Sequence, residues 1–419
     1  MRKATRKTLR RLLTMACLGL LAWQQTACAK NPDNQLERPT CDMSSFMVLG
    51  DSIAFGYMAG YTGADGDPLP QVSPELVVHA WPKLVADQAG VEMGLTFYTN
   101  TPDNLSVPGY ALNDMTVPYS SLLAANEVTK YVLGGYAAIS GEDPSPLQVL
   151  LTENPSTAAV MIGNNDILGA AIYANSALKT PVNAFTAMYS NLVAELAAAP
   201  DRAVVTATIP DVSAIPFLLS APQAFDGEEI PAGIASNEDG TAYAIQESDY
   251  ITLQGMEKLK HSLPLIKCPG SATPSLACVG DILTEDELEE ISAHTEAFNN
   301  AIRAIADHYD NVAIMAFDKL FRQLSRHGIV IQGRKYTLEY DGGLISKDGI
   351  HPTKLGHGVI ANKIIQTLNS RFGADIPKLV LNTLAAEEEL AEGSLPLPAS
   401  FDSQAFEHAR KMFRKNDRE

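Results

Sequence analysis

The sequence predicts an α/β fold: a mainly parallel, five-stranded sheet covered by helices on both faces. Three observations predict it. Short apolar runs recur at 46–49, 95–98, 158–162, 203–208 and 311–317, as buried strands do. Most are separated by stretches with apolar residues at helical spacing, and such alternation implies strands that run the same way. Finally, polar residues able to do chemistry, Ser52 and Asn165, fall just past the ends of two of these runs, where open α/β sheets place their ligands.

The elements follow in order. Phe46-Met47-Val48-Leu49 is the first strand and stops at the turn pair Gly50-Asp51. A polar Gly/Asp/Pro loop at 60–70 sits beside Ser52 in sequence, so it either shapes the mouth of a site or is plain surface. A helix is expected over 81–89 with Leu84, Val85 and Gln88 spaced around it. The second strand is expected at 95–98, leading into a loop at Gly109. Helical patches lie around 120–132, with a turn at Gly141-Glu142-Asp143-Pro144. The third strand, 158–162, ends at the Asn165 loop. A helix over 182–198 carries Phe185, Met188, Leu192 and Leu196, and the fourth strand at 203–208 runs into Ile209-Pro210-Asp211.

Residues 212–280 are the least regular part, broken by Pro216, Pro222, Pro231, Pro264, Pro269 and Pro274. They are expected to form an insertion hinged near Pro210. Its apolar piece, Ile215-Pro216-Phe217-Leu218-Leu219, either lines an acyl pocket or packs in the core. Regular structure resumes at Thr284-Glu285-Asp286-Glu287, a capping-box pattern that starts a helix running to about His308. The fifth strand, 311–317, comes next, and a closing helix over 354–372 turns Leu355, Val359, Ile364 and Leu368 inward. The tail, 373–419, carries Glu387-Glu388-Glu389 and a basic end without evident chemistry.

Composition bounds the compartment and the partners. The 419 residues are 46% hydrophobic and 19% charged, which fits a globular chain. Arg2, Lys3, Arg6, Lys7, Arg10 and Arg11 precede an apolar stretch at 12–23 and the small residues Ala27-Cys28-Ala29, the pattern of an export leader over 1–29. Two cleavage readings compete. Thr26-Ala27-Cys28 resembles a lipobox, in which Cys28 would be acylated and carry the chain on the membrane by a polar tether, 30–45. Ala27-x-Ala29 would instead release a free protein. The expected destinations are the periplasm, the outer membrane as a lipoprotein, or the medium. Removing residues 1–27 takes away six basic residues and no acidic one, leaving 25 basic against 49 acidic, a net charge of −24. That balance disfavours nucleic acid and anionic membrane surfaces as partners.

Of five cysteines, Cys17 leaves with the leader and Cys28 is acylated or removed. Cys268 and Cys278 bracket a short loop, and an oxidising compartment favours their pairing, worth roughly 2–3 kcal/mol on the chain-entropy argument. Cys41 is left over, either free and buried or competing for one of that pair. No Cys-x-x-Cys or paired-histidine spacing suggests zinc, and no cofactor is called for.

The chemistry rests on two stretches almost 300 residues apart. Ser52 is a poor nucleophile until a base takes its proton. His351, in Lys347-Asp348-Gly349-Ile350-His351-Pro352-Thr353, has an acid three residues before it, close enough to fix one tautomer of the imidazole. Gly50-Asp51-Ser52 together with Asp348-x-x-His351 resembles the SGNH, or GDSL, hydrolases. The two middle blocks of that family are matched by Asn104-Leu105-Ser106-Val107-Pro108-Gly109 and Gly163-Asn164-Asn165-Asp166, in the expected order. A lone Gly-Asp-Ser could be any turn; four ordered blocks carry the resemblance.

The resemblance, over about residues 46–370, implies a three-layer α/β/α sandwich of flavodoxin-like type, with 46–372 as the hydrolase domain. It implies a catalytic Ser52, Asp348 and His351. The oxyanion hole it implies is made by the backbone N–H groups of Ser52 and Gly109 and the side-chain amide of Asn165. Each residue also has a plainer role: Ser52 as a helix cap, Gly109 as a turn residue, Asn165 as a loop residue beside the confusable Asn164, and His351 as structural. His357 is a rival imidazole, but only His351 has Asp at the required offset. Asp51 and Asp166 are expected to hold Ser52 and Asn165 in place. The missing Gly-x-Ser-x-Gly argues against an α/β-hydrolase nucleophile elbow.

Three functions follow: a carboxylesterase or lipase acting on small-molecule or lipid esters, a carbohydrate acetylesterase with the same triad, or a cell-surface binding protein on a dead hydrolase scaffold. Intact catalytic residues weigh against the third. An aromatic content of 7% speaks against a sugar cleft, and the apolar insertion speaks for acyl chains.

Overall fold

The computed structural model describes residues 41–63, 67–271 and 275–394. The leader, Cys17, Cys28, most of the tether and the basic end of the tail lie outside the described residues. The central sheet has four parallel strands in the order β1 (Phe46–Gly50), β2 (Thr157–Met161), β3 (Ala203–Ala207) and β4 (Val312–Met315). Nearly every position of these strands is buried. This is why they read as continuous apolar runs, the signature of a sheet covered on both faces.

The fifth strand is displaced. Residues 95–98 form a turn, with the Tyr98 N–H donating to the Leu95 carbonyl at 3.0 Å and Phe97 at φ +75°. The edge beyond β1 is taken instead by residues 103–107. The Val48 N–H donates to the Asp103 carbonyl (3.0 Å), Leu105 donates back to Val48 (2.8 Å), and Val107 donates to Gly50 (3.2 Å). Aromatic bulk at 95–98 marks packing, not pairing: the Phe97 ring meets Phe55 and Tyr131 edge-on or tilted.

Short helices leave the strand ends. α1 (Ser52–Phe55) follows β1, and α2 (Trp81–Ala89) matches its expected span. α3 (Asn165–Ile172) follows β2, and α4 (Val182–Ala197) leads to β3. α5 (Glu285–Ala306) begins at the expected capping box, in which Thr284 Oγ1 accepts from the Glu287 N–H and a Glu287 carboxylate oxygen accepts from the Thr284 N–H. α6 (Phe317–His327) has no counterpart among the expected elements, whereas α7 (Lys354–Phe372) matches its expected span. α2 packs on α7, which lies against β3 and β4; α4 packs on α5, which also contacts β4. The sheet is thus covered on both sides. The tail gives a further helix, α8 (Asn382–Ser394), packed on α7.

The insertion belongs to the same compact unit as the sheet and is more regular than its sequence suggests. Leu218–Ser220, Tyr250–Thr252 and Ile282–Leu283 form one small sheet; Ala242–Tyr243, Ala235–Asn237 and Leu265–Lys267 form another. Strands of two or three residues are too short to show alternation. Ala235, Ile251, Leu265 and Ile282 make a small separate core. Cys268 and Cys278 are disulfide-bonded, and Cys41 is free, its thiol 3.6 Å from Thr157 Oγ1. A buried ion pair, Lys267 Nζ to Glu287 Oε1 at 2.7 Å, ties this region to α5.

The insertion also touches the loop that carries His351. Gly349 has φ +73°, and a Cβ there would come within 2.7 Å of Leu253 Cδ1 and 3.2 Å of the Phe217 backbone. Alanine would meet both backbone strain and a wall that cannot easily retreat. Gly349→Ala is expected to lose about 2–3 kcal/mol of stability in urea unfolding and to depress turnover. Wild-type stability and turnover would show that the Phe217–Leu253 wall gives way.

Candidate active site

β1 ends at Gly50, and the chain turns at once into α1. The turn has no room for a side chain: a Cβ on Gly50 would lie 2.6 Å from Ala54 Cβ and 2.8 Å from the Met161 carbonyl. Asp51, not Ser52, caps α1, its Oδ1 accepting from the Ile53 N–H at 3.0 Å. Ser52 is therefore free of the capping role, and its hydroxyl lies 2.8 Å from His351 Nε2.

His351 arrives from the loop ahead of α7. Its Nδ1 is 2.7 Å from Asp348 Oδ2, and the other carboxylate oxygen accepts from the N–H groups of Ile350 (2.9 Å) and His351 (3.0 Å). Ser346 Oγ adds a third donor at 3.1 Å while accepting from the Ala59 N–H at 3.3 Å. Ser346 links the loop to the Ser52 side of the site, and nothing in its local sequence marks it for that. Burial works to raise the Asp348 carboxyl, but His351 and these donors outweigh it and hold it below the usual carboxylate range. An ionised Asp348 fixes the Nδ1–H tautomer and leaves Nε2 to face the serine.

Three consecutive residues past β2 fasten the neighbouring loops. Asn164 Nδ2 donates to Asp51 Oδ2 at 2.7 Å; Asn165 Nδ2 donates to the Tyr110 carbonyl at 2.7 Å; Asp166 Oδ2 accepts from the Leu112 N–H at 2.8 Å. Asn104 Nδ2 closes the ring by donating to the Ala54 carbonyl at 2.7 Å. These bonds bring the Ser52, Gly109 and Asn165 loops to one edge of the sheet. They also separate the two asparagines that sequence made confusable: Asn164 holds Asp51, while Asn165 faces the Gly109 loop. The Tyr110 carbonyl takes one amide hydrogen of Asn165, and the other remains for a ligand. Gly109 sits at φ +84°, the left-handed region that glycine enters without strain. Among the described residues, the N–H groups of Ser52 and Gly109 take no part in the backbone–backbone bonds of the turns and loops.

The rival imidazole has another job. His357 is fully buried in α7, its Nδ1 accepting from the Trp81 N–H at 3.3 Å, and burial pushes its pKa down to about 3. Beside the Ser52 turn lies a mainly apolar trough lined by Ile53, Ile167, Ile209, Ile215 and Ile350, with Asn164 and Asp211 also on its wall. Of the expected acyl-lining piece, Ile215 lines this trough; Phe217 is core, and Leu218 pairs with Thr252. Among the described residues, no group of three His, Cys, Asp or Glu side chains is placed to hold a metal ion.

A serine, an imidazole and a carboxylate in one hydrogen-bonded line are suited to acyl transfer. The chain matches the GDSL-like lipase/acylhydrolase family over residues 46–364. It belongs to that family and is an ester-bond hydrolase. No curated protein sequence matches it. Solved structures that resemble it include LAE5, an α/β hydrolase from the metagenome of Lake Arreo, Spain, with 13% identity, 80% of this chain and 100% of that one covered, and a TM-score of 0.38. Another is Axe2, an acetylxylan esterase from Geobacillus stearothermophilus, with 11% identity, 79% and 96% covered, and a TM-score of 0.36. Likenesses that distant say nothing about this chain's substrate.

Asp51 and Asp166 contrast with Asp348. Burial raises each to about 6, against the hydrogen bonds they accept. A buried carboxyl that binds its proton more tightly when folded stabilises most below the unfolded value near 4. That contribution is lost as pH rises to about 6. For Asp166 it amounts to about 3 kcal/mol at most. Asp166→Asn should therefore gain on the wild type in urea unfolding as pH goes from 4 to 7. A difference that stays flat across that range would contradict the burial argument.

Proposed function

We propose that the chain hydrolyses carboxylic esters through an acyl-enzyme on Ser52, with an acyl group lying in the trough beside it. The observation that carries this reading is the unbroken line from Ser52 Oγ to His351 at 2.8 Å and on to Asp348 at 2.7 Å. His351 takes the serine proton as Ser52 attacks the carbonyl, then delivers it to the leaving alcohol. Water repeats the cycle on the acyl-enzyme, and Asp348 steadies the imidazolium. Charge on the carbonyl oxygen would be met by the Ser52 and Gly109 N–H groups and the second amide hydrogen of Asn165. Such a donor is typically worth about 3 kcal/mol.

The apolar walls of the trough favour a carboxylesterase or lipase over an acetylesterase. Each buried methylene of an acyl chain contributes about 0.8 kcal/mol. An acetyl group has none to place there, so a trough of isoleucines would give it no advantage.

Ser52→Ala is expected to abolish turnover of p-nitrophenyl esters while circular dichroism shows the fold unchanged; retained turnover would remove the nucleophile assignment. In a panel from acetate to palmitate, run beside acetylated xylan, the wild type should prefer chains longer than acetate. Ile215→Trp should narrow the trough and cost longer chains about tenfold or more in kcat/KM, the value of two buried methylenes, while sparing acetate. Preference for acetylated xylan, with no effect of the tryptophan, would favour the carbohydrate reading.

A further inference from the structure

We propose that Tyr57 is a positioning residue for His351, its ring face supporting the imidazolium that forms when Ser52 gives up its proton. The inference rests on the acyl-enzyme reading above and adds a residue that none of the four sequence blocks contains.

Tyr57 is joined to both partners of the proton transfer. α1 ends at Gly56, in the left-handed region at φ +95°, and the chain doubles back. The Tyr57 N–H then donates to the Ser52 carbonyl at 3.0 Å, alongside that of Gly56 at 3.2 Å. This return places the Tyr57 ring 4.3 Å, centroid to centroid, from the His351 imidazole, with 40° between the planes. Each residue is 1% exposed, so the contact is largely shielded from bulk water. A cation within about 6 Å of an aromatic face is attracted by the ring quadrupole, and more strongly where water is excluded.

The charged and titratable groups facing His351 come from three places. Asp348 lies on its own loop at Nδ1, while Asp51, in the turn after β1, and His357, in α7, are near enough to interact with it electrostatically. Asp348 and Asp51 favour a charged imidazole, and His357 is held neutral by its burial. The Tyr57 ring adds attraction without adding a charge. In the attack step the serine O–H bond breaks and its proton goes to Nε2. The oxygen's electron pair forms the bond to the acyl carbon, and the carbonyl π pair moves to the oxygen. Tyr57 neither gains nor loses a proton; it favours the charged imidazole over the neutral one.

The test uses kcat and the acid limb of the kcat/KM pH profile, with a p-nitrophenyl ester. Tyr57→Leu should lower kcat by about 5- to 30-fold and move the acid limb to lower pH by about 0.7–1.5 pH units. Tyr57→Phe keeps the ring and should restore both to within about threefold of wild type. Pentafluorophenylalanine at position 57 keeps the shape of Phe but reverses the quadrupole, and should behave like the leucine variant. A leucine limb that stays put, or moves up as water fills the space, would overturn the inference. So would a pentafluoro variant that behaves like Tyr57→Phe, and that pair decides the matter even if Tyr57→Leu does not fold. Turnover surviving in Ser52→Ala would sink the acyl-enzyme reading itself; an inactive Ser52→Ala beside unaffected Tyr57 variants would sink only this inference.

Discussion

The parallel register of β1 against β2 is the constraint on which the site depends. Gly50 pairs with Met161, so the two chains leave the sheet at the same level, one strand spacing apart, about 4.8 Å. Asp51 and Ser52 follow on one side and Asn164 and Asn165 on the other, near enough for the 2.7 Å bond between Asp51 and Asn164. A slip of one residue would send every strand side chain to the opposite face. It would also separate the two loops. The absent side chain at Gly50 keeps the register closed, because the Met161 carbonyl would lie only 2.8 Å from a Cβ there.

Three buried aspartates near that edge show how environment separates groups of one type. Asp348 has an imidazole within 2.7 Å and three donors on its other oxygen, so it remains an anion through the working range. Asp51 and Asp166 are tied mainly to neutral donors, and burial dominates. The site thus keeps one firm negative charge at the back of the histidine. The other two carboxylates act as hydrogen-bond anchors that are costly to ionise.

The outer elements brace this arrangement from behind. Ser346 N–H donates to the His351 carbonyl at 2.7 Å, and Thr353 Oγ1 caps α7 by accepting from the Gly356 N–H at 3.0 Å. The Tyr61 hydroxyl accepts from the Lys354 N–H at 3.0 Å and donates to Glu388 of α8 at 2.6 Å. The start of the helix after His351 is therefore satisfied partly by a tail helix in which the sequence showed no chemistry. Burial raises the Glu388 carboxyl to about 7, against the hydrogen bond it accepts from Tyr61.

Local signals recovered what local physics controls. Four of the five apolar runs are strands of the sheet, α2 and α7 match their expected spans, and the Thr284 capping box forms as written. Ser52, Asp348 and His351 could be named because Asp348 stands three residues before His351 and four short blocks fall in the family's order. Long-range pairing was not legible: the edge strand moved from 95–98 to 103–107 because pairing with β1 decides it, not aromatic content. The insertion's strands were missed because two or three residues leave no period to read. By itself the sequence determined the α/β class and singled out Ser52, Asp348 and His351 as candidates in their order along the chain, since burial and turn formation act on neighbours in the chain. Only the tertiary structure decided that Asn164 holds Asp51 while Asn165 faces the Gly109 loop, and that Tyr57 and Ser346 belong to the site. Those contacts join segments up to about 300 residues apart, and chain closure, not local preference, sets which groups meet.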